Sequence, residues 1–532
     1  MTRLAALGVV CLVGCGDNLA LAPDAAPIDA RVVDARPDAM IDASPDAPPD
    51  APTDAPPVAE PTITVGAADR ILLLGTIVTP ATIVDGQVLV EGNLITCVAS
   101  GTTCAAMPGA AGATIIDTKG VIAPGLIDTH NHILFDIFDD TDWLPSQVYQ
   151  NHDQWPNEPR YQAMLDVKQC LVNDSQGKPV WCAQTPYGTT AGSLRCEADK
   201  FGELKGLVAG TTSIVGLAGI GAGCFSSLAR SIDQSQNGLG QDKIQTSALF
   251  PPSNPSGVCA NFASGTTDAY VVHVGEGTDA RSLGEFARLG TATTPDGCLY
   301  APQTAITHGT AFTSVEFMQM AQAGMKLIWS PHSNVSLYGQ TADVPAALDA
   351  GVTIALAPDW SMGGSQNLLN ELRFAAAWDD THFADRLTSK DLVEMTTSHA
   401  AQALGVASML GTLAPGYRAD LAVFAGDVAL PYDAILAARP KQVRLVMIDG
   451  VVLYGDSVLQ AAGPVAPGCE TLDVCGGAKF LCAATSATTN KLDQTYAQIV
   501  AALGQALTDA DALTTADGFT FAPLAPLVNC GP

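Results

Sequence analysis

Positive charge is scarce in this chain. Lysine and arginine total 25 of 532 residues, against 54 aspartates and glutamates, for a formal net charge of −29. Phosphate backbones are held by basic faces, so DNA and RNA are not expected partners. Long apolar runs are lacking too. After the first residues, no stretch reaches the roughly 18 uninterrupted apolar residues of a spanning helix. Charged residues make up only 15% of the chain, but apolar ones reach 47%, which excludes a wholly disordered chain. At 532 residues the chain exceeds one compact core, so a large domain and at least one smaller one are expected. Histidine is sparse, with 8 residues, so any gathering of them carries information.

What is present begins with residues 1–15, MTRLAALGVVCLVGC. Arg3 followed by a short apolar run has the form of a secretory signal. The tetrad Leu12-Val13-Gly14-Cys15 resembles the bacterial lipobox, which implies a signal peptide over 1–15 and a lipid anchor on Cys15. Residues 16–60 repeat Asp-Ala between prolines. Such a segment cannot bury enough surface to offset its chain entropy and reads as a disordered tether. Export to the bacterial cell envelope, on the periplasmic or cell-surface side, is therefore expected, with the membrane met only through Cys15. Setting Cys11 and Cys15 aside from the 14 cysteines leaves an even number, which in an exported chain points to disulfides. Cys97 and Cys104 flank a turn and are placed to pair locally. Cys469, Cys475, Cys482 and Cys530 are placed to staple the C-terminal region, and their spacing is not that of a zinc ribbon.

Residues 61–122 hold short β-type runs broken by Gly, Asp and Asn, and a matching set lies at 411–460. The two are expected to close one small domain around the middle of the chain. Within 123–410 short buried-type strands alternate with helical runs such as SLGEFARLG, SVEFMQMAQAG and LLNELRFAAAW. That alternation predicts an α/β fold with a parallel sheet. Strands are predicted at 121–128, 211–217, 244–250, 269–274, 304–309, 325–330 and 352–358. A closed eight-stranded barrel requires one more, and residues 251–268 leave little room for it.

Most of these strands end in a side chain able to do chemistry, and the C-terminal strand ends are where barrel sites form. The first runs into His130 and His132, two apart, so that both side chains face one way. Later strands lead to His273 and Glu276, to His308, to Ser333 and Asn334, and to Asp359. Two imidazoles beside a third and a carboxylate suit a zinc or iron site. Each residue taken alone has an ordinary alternative. His130 and His132 read equally as loop histidines, and His273 and His308 as packed core histidines. Glu276 reads as a solvated glutamate, and Asp359 as a helix N-cap. Their appearance at successive strand ends favours a site.

The pieces VIAPGLIDTHNH, GTTSIVG, HVGEGTDARSLGEF, ITHGTAF, SPHSNVSLYG, LAPDWSMGGSQNLLNELR, TTSHAAQALG and GTLAPGYRADLAVF resemble the amidohydrolase superfamily, in its cytosine-deaminase and chlorohydrolase-like branch. The resemblance runs from about residue 65 to 455. It implies a distorted (β/α)8 TIM barrel at 123–410 and a composite β-sandwich made of 61–122 and 411–460. It also implies that His130, His132, His273 and Asp359 hold metal, that Glu276 shuttles protons and that His308 polarises substrate. No lysine lies at a barrel strand end where binuclear members bridge two ions, so one divalent ion, zinc or iron, is expected. The implied activity is hydrolysis of a non-peptide C–N bond in a small molecule. A lactone or C–Cl hydrolase, or a catalytically silent surface binding protein, are the alternatives. The chain departs from the family in His332, in a long insertion at 133–200 that carries Trp143, Trp155 and Trp181, and in a Cys-containing extension at 461–532. His152, in the insertion, is a candidate for lining the substrate entrance. His382 is expected at the surface, and His399 in a structural role.

Overall fold

The computed structural model describes residues 59–531 except 176, 218–227, 235–236, 241–242, 249, 466–467, 485–493 and 515–517. The segments expected to form the signal peptide and the Cys15 anchor, and nearly all of the expected tether, lie outside the described residues, as does Cys224. Among the described residues no helix is long and apolar enough to cross a membrane.

Five strands open the described chain: β1 (Thr62–Thr64), β2 (Ala67–Val78), β3 (Ile83–Glu91), β4 (Leu94–Ser100) and β5 (Ala113–Pro124). The β-branched runs of β2 and β3 pair antiparallel, Leu73 opposite Val88. β4, the antiparallel partner of β3, follows a tight turn in which Gly92 takes a φ of +59°, a conformation that costs glycine little. Cys97 and Cys104 are joined, as their spacing predicts. At Gly125 the chain leaves this sheet and enters a second set of strands, all parallel. These are β6 (Leu126–Asp128), β7 (Thr211–Ile214), β8 (Arg230–Ser231), β9 (Ile244–Ser247), β10 (Ala269–Val274), β11 (Thr304–His308), β12 (Lys326–Trp329) and β13 (Thr353–Leu356). The chain then returns to the first sheet as β14 (Leu421–Phe424), β15 (Val443–Ile448), β16 (Val451–Asp456), β17 (Glu470–Val474) and β18 (Gly477–Leu481).

The two flanking segments do share one structure. β14 pairs antiparallel with β5, Val423 opposite Ile122, and the order β17-β18-β16-β15-β14-β5-β2-β3-β4 is one hydrogen-bonded path. The sheet does not stop near residue 460, because β17 and β18 from the extension add to its edge.

The parallel strands form two arcs, β6-β7-β8 and β13-β12-β11-β10-β9. The arcs meet beyond the ends of β6 and β13, where Asn131 bridges Asp359 in parallel sense. There His132 N–H donates to the Asp359 carbonyl at 2.6 Å, and Asp359 N–H donates to that of His130 at 3.2 Å. No ladder joins β8 to β9 among the described residues. The eighth strand missing from the sequence reading is β8. Two residues carry no periodicity, and nothing in 230–231 announces a strand.

Outer helices cover the parallel strands through apolar stripes. On Ala280–Gly290 the buried Ser282, Glu285, Phe286 and Leu289 fall on one face, and the Asp279 carboxylate caps the start by accepting from Ser282 N–H. Fully burying a residue such as Phe286 or Leu289 contributes about 1.5–3 kcal/mol. Arg230 of β8 reaches Asp420, next to β14, with Nη2 at 2.9 Å from Oδ2 and 3.0 Å from Oδ1, and so ties the two sheets together.

The insertion and the extension cover one another. The extension's helix, Tyr496–Thr514, receives Tyr187 Oη on Asp509 Oδ2 at 2.6 Å. Further on, the Phe521 ring lies 5.7 Å from Phe138, and Asn529 N–H donates to Gln366 Oε1 at 3.0 Å. Disulfides Cys170–Cys182, Cys469–Cys482 and Cys475–Cys530 hold these parts, and Cys259–Cys298 brackets β10.

Candidate metal centre

The turn after β6 is set by Asp128. Its Oδ1 accepts from His130 N–H at 3.1 Å and its Oδ2 from Asn131 Nδ2 at 3.0 Å, which leaves both flanking imidazoles facing inward. His130 is fully buried, with its ring 5.0 Å from His132 and 4.5 Å from His273. His273 lies on β10. Its Nδ1–H donates to the Ser247 carbonyl on β9 at 3.1 Å, so the Nε2 lone pair is the one presented to the centre. Asp359 follows β13 in the left-handed region, at a φ of +70°. Its Oδ1 lies 2.9 Å from His130 Nε2 and 3.6 Å from His132 Nε2. One donor atom from each of His130, His132, His273 and Asp359 lies within 4.8 Å of the others.

The electrostatics suit a cation. Burial, then the neighbouring His130, pushes His132 down to about 3. Burial and the surrounding imidazoles push His273 well below its ordinary value. Both rings are thus neutral, which is the ligating form. Burial opposes charge on Asp359, but the hydrogen bond from His130 and the attraction of the surrounding imidazoles outweigh it and hold the carboxyl well below its ordinary range. His130 Nδ1 is buried with no hydrogen-bond partner. Three imidazoles and a carboxylate converging on one point fit a zinc-type or iron-type ion. A separate acidic group, Asp379, Asp380 and Asp385, is a poorer candidate, because Asp379 already accepts from the N–H groups of Arg386 and Leu387.

Glu276 and His308 flank the centre. Glu276 Oε2 is 3.9 Å from His308 Nε2. His308 Nδ1 is hydrogen-bonded to Asn334 Oδ1 at 2.8 Å, and Asn334 Nδ2 donates to Thr341 Oγ1 at 3.1 Å. This fixes the His308 ring with Nε2 toward the site. Gly277 permits the close approach of the insertion: a Cβ there would meet the Gln150 carbonyl oxygen at 2.4 Å. All six residues singled out in the sequence, His130, His132, His273, Glu276, His308 and Asp359, therefore converge.

His152 does belong to the insertion, but its Nε2 is taken by Glu285 Oε1 at 2.8 Å, so it holds the insertion to the helix behind β10. Glu285 Oε2 in turn accepts from Gly275 N–H at 2.8 Å. His332 stacks on Phe374, with ring centroids 4.4 Å apart, and His382 is exposed. Lys243 pairs with Asp268 and Lys326 with the Pro302 carbonyl, both away from the centre. The sequence reading assigned no role to Tyr338 or Asp128, and noted Trp155 only as part of the insertion. Tyr338 Oη donates to Glu276 Oε1 at 2.6 Å and accepts from Trp155 Nε1 at 3.0 Å. The available signal was the helical spacing of Asn334 and Tyr338, four apart.

Residues 260–453 match the Amidohydrolase family. A 5-methylthioadenosine/S-adenosylhomocysteine deaminase of Desulfitobacterium hafniense is 26% identical over 65% of this chain and 83% of its own length. A 5′-deoxyadenosine deaminase of Methanothermobacter thermautotrophicus is 24% identical over 70% of this chain and 90% of its own length. Among solved structures, an adenosine deaminase from Xanthomonas campestris with bound zinc superposes with a TM-score of 0.52 at 14% identity, covering 84% of this chain and 98% of that one. An atrazine chlorohydrolase from Arthrobacter aurescens complexed with zinc superposes with a TM-score of 0.52 at 17% identity, over 74% and 96%. At these identities the structural matches speak for the fold.

Proposed function

We infer that this chain is a member of the amidohydrolase superfamily, a metal-dependent hydrolase of non-peptide C–N bonds that acts as a deaminase on a 6-aminopurine nucleoside or a similar aminated ring. The observation that carries this reading is the convergence of His130, His132, His273 and Asp359 beside Glu276 and His308. The deaminase relatives support the choice of substrate.

A divalent ion held by the three imidazoles and Asp359, zinc or iron, would lower the pKa of water so that hydroxide is present near neutral pH. The Asp359 carboxylate accepts the proton of the attacking water. Glu276 carries a proton to the leaving nitrogen, as a general acid must. His308, held by Asn334, stabilises charge that develops on the attacked ring. The balance is simple: the water oxygen bonds to the ring carbon, the C–N bond breaks, one water proton leaves with the amino group as ammonia, and the other stays on the product as its ring N–H.

Three finer readings belong with this one. The eight parallel strands close as a barrel across the β8–β9 seam, and the antiparallel sheet curls into a sandwich. Leu12 to Cys15 direct export and lipid anchoring, for which the disulfides of the body are a supporting sign.

The test begins with metal content and turnover of the full chain. Wild type binds about one ion per chain, and His130→Ala/His132→Ala loses it. Ammonia release is assayed with 5′-methylthioadenosine, S-adenosylhomocysteine and 5′-deoxyadenosine. Glu276→Gln keeps the metal and loses about 100-fold or more in kcat. Full activity in Glu276→Gln, or a wild type that binds no metal after reconstitution, would overturn the reading.

A further inference from the structure

The helix Pro331–Tyr338 presents Asn334 and Tyr338 four residues apart, so both lie on one face. Asn334 holds His308 through Nδ1. Tyr338 holds Glu276 through Oε1. One helical face thus supports both members of the Glu276–His308 pair. Gly339, at a φ of +70°, ends the helix immediately after Tyr338. The insertion grips the same turn, because Tyr149 N–H donates to the Leu337 carbonyl at 2.7 Å.

A carboxylate rotates about its last bond, and either oxygen can carry a proton. Here the two oxygens are unlike. Oε1 is engaged by the Tyr338 hydroxyl, while Oε2 faces His308 Nε2. The Tyr338 hydroxyl is itself aimed, since it accepts from Trp155 Nε1 and therefore donates only toward Glu276. Trp155 is wedged among aromatic rings, 5.3 Å from Trp360 and 4.9 Å from Tyr161. Burial and the Glu276 charge push the Tyr338 phenol well above its ordinary value, so it remains a donor.

We propose that Tyr338 is a positioning residue for the proton shuttle: its hydroxyl, oriented by Trp155 of the insertion, occupies Glu276 Oε1 and reserves Oε2 for proton transfer beside His308. The insertion thereby reaches the chemistry through a three-residue chain, Trp155 to Tyr338 to Glu276. This inference rests on the role given to Glu276 above, and its test separates the two.

Six tryptophans give six indole N–H resonances in the full chain. The one lost in Trp155→Phe is assigned to Trp155. Glu276→Gln shifts that resonance in the otherwise native chain, and no longer shifts it in a Tyr338→Phe background. In kinetics with 5′-methylthioadenosine, Tyr338→Phe lowers kcat by roughly 10- to 100-fold, leaves KM within about twofold, and leaves the metal content unchanged. Trp155→Phe gives a smaller loss of the same kind, and the double variant is no slower than Tyr338→Phe alone. Tyr338→Phe removes only the hydroxyl and retains the packing, whereas Trp155→Phe also shortens a ring packed against Trp360 and Tyr161, so the kinetic weight rests on Tyr338→Phe and on the double variant. An indole resonance indifferent to Glu276→Gln overturns the proposal whether or not this nucleoside is turned over. So does a Tyr338→Phe enzyme with native kcat, or one altered only in KM. If Glu276→Gln is itself fully active, the assigned function fails, while the indole result still reports on the chain of contacts.

Discussion

Asp359 meets two demands at once. Its backbone stitches the end of β13 to the end of β6, and its carboxylate faces three imidazoles. An aspartate tolerates the left-handed conformation better than most residues, which lets one position serve both ends. The residues of the candidate centre were legible in the sequence because histidine is scarce and falls at strand ends. Tyr338 and Trp155 were not, because aromatic residues in a helix or near a proline read as packing. His152 was legible as a loop histidine, but its partner was not, since Glu285 sits on a helix face 133 positions away. The pair has a measurable pH signature. Burial lowers the basicity of His152, but Glu285, Glu276 and Asp153 outweigh it and raise the ring to about 9. The folded value exceeds that of the unfolded chain, so the stabilisation is complete below about pH 6.5 and is lost as pH rises through 9. It amounts to about 3 kcal/mol at most. His152→Gln is expected to melt well below wild type at pH 6 and close to it at pH 10, as followed by circular dichroism.

Among the elements, the three helices over SLGEFARLG, SVEFMQMAQAG and LLNELRFAAAW and most of the parallel strands were legible in the sequence, and β8 and the helices of the insertion and extension were not. A two-residue strand is defined by its neighbours: Arg230 and Ser231 pair with Ser213 and Ile214 of β7 because β7 is already in place. The insertion and the extension were recognised only as departures, since neither carries a repeating apolar pattern that names its partner. They prove to be partners of each other, through Tyr187 and Asp509 and through Phe138 and Phe521. The Cys475–Cys530 bridge closes a loop of sequence separation 55 around this contact. Constraining a loop of that size is worth about 4 kcal/mol by the chain-entropy model. Cys475→Ser/Cys530→Ser is expected to unfold at markedly lower urea, and the C-terminal residues to exchange amide hydrogens faster. Unchanged exchange over 518–531 would show that packing alone holds the extension.

At the scale of the whole molecule, the antiparallel sheet and the β6–β8 arc of parallel strands are joined by a buried ion pair. The side chains of Arg230 and Asp420 are each only 3% exposed, and Asp449 adds a second carboxylate to the arginine at 3.2 Å. Removing one partner of such a pair leaves an uncompensated charge and costs roughly 3–5 kcal/mol. Arg230→Met is therefore expected to lower the stability of both sheets together, in one transition seen equally by denaturant titration and by metal release. Two separate transitions would mean that the sheets fold independently. The composite sheet could be foreseen from its two matching β segments, whereas the ion pair could not, because nothing in a sequence marks which charges will be buried.

The same composite sheet governs how the molecule comes into being. Tyr432 donates to the Thr79 carbonyl across 353 positions of chain. A ribosome delivers about 5–20 residues per second, so the earliest strands wait roughly 20–70 s for the segment that completes them. Through that interval the β5 edge that will receive β14 stands open, and an open edge recruits other strands. Conditions that slow translation lengthen the exposure and lower the yield of correctly assembled enzyme, independently of how stable the finished protein is.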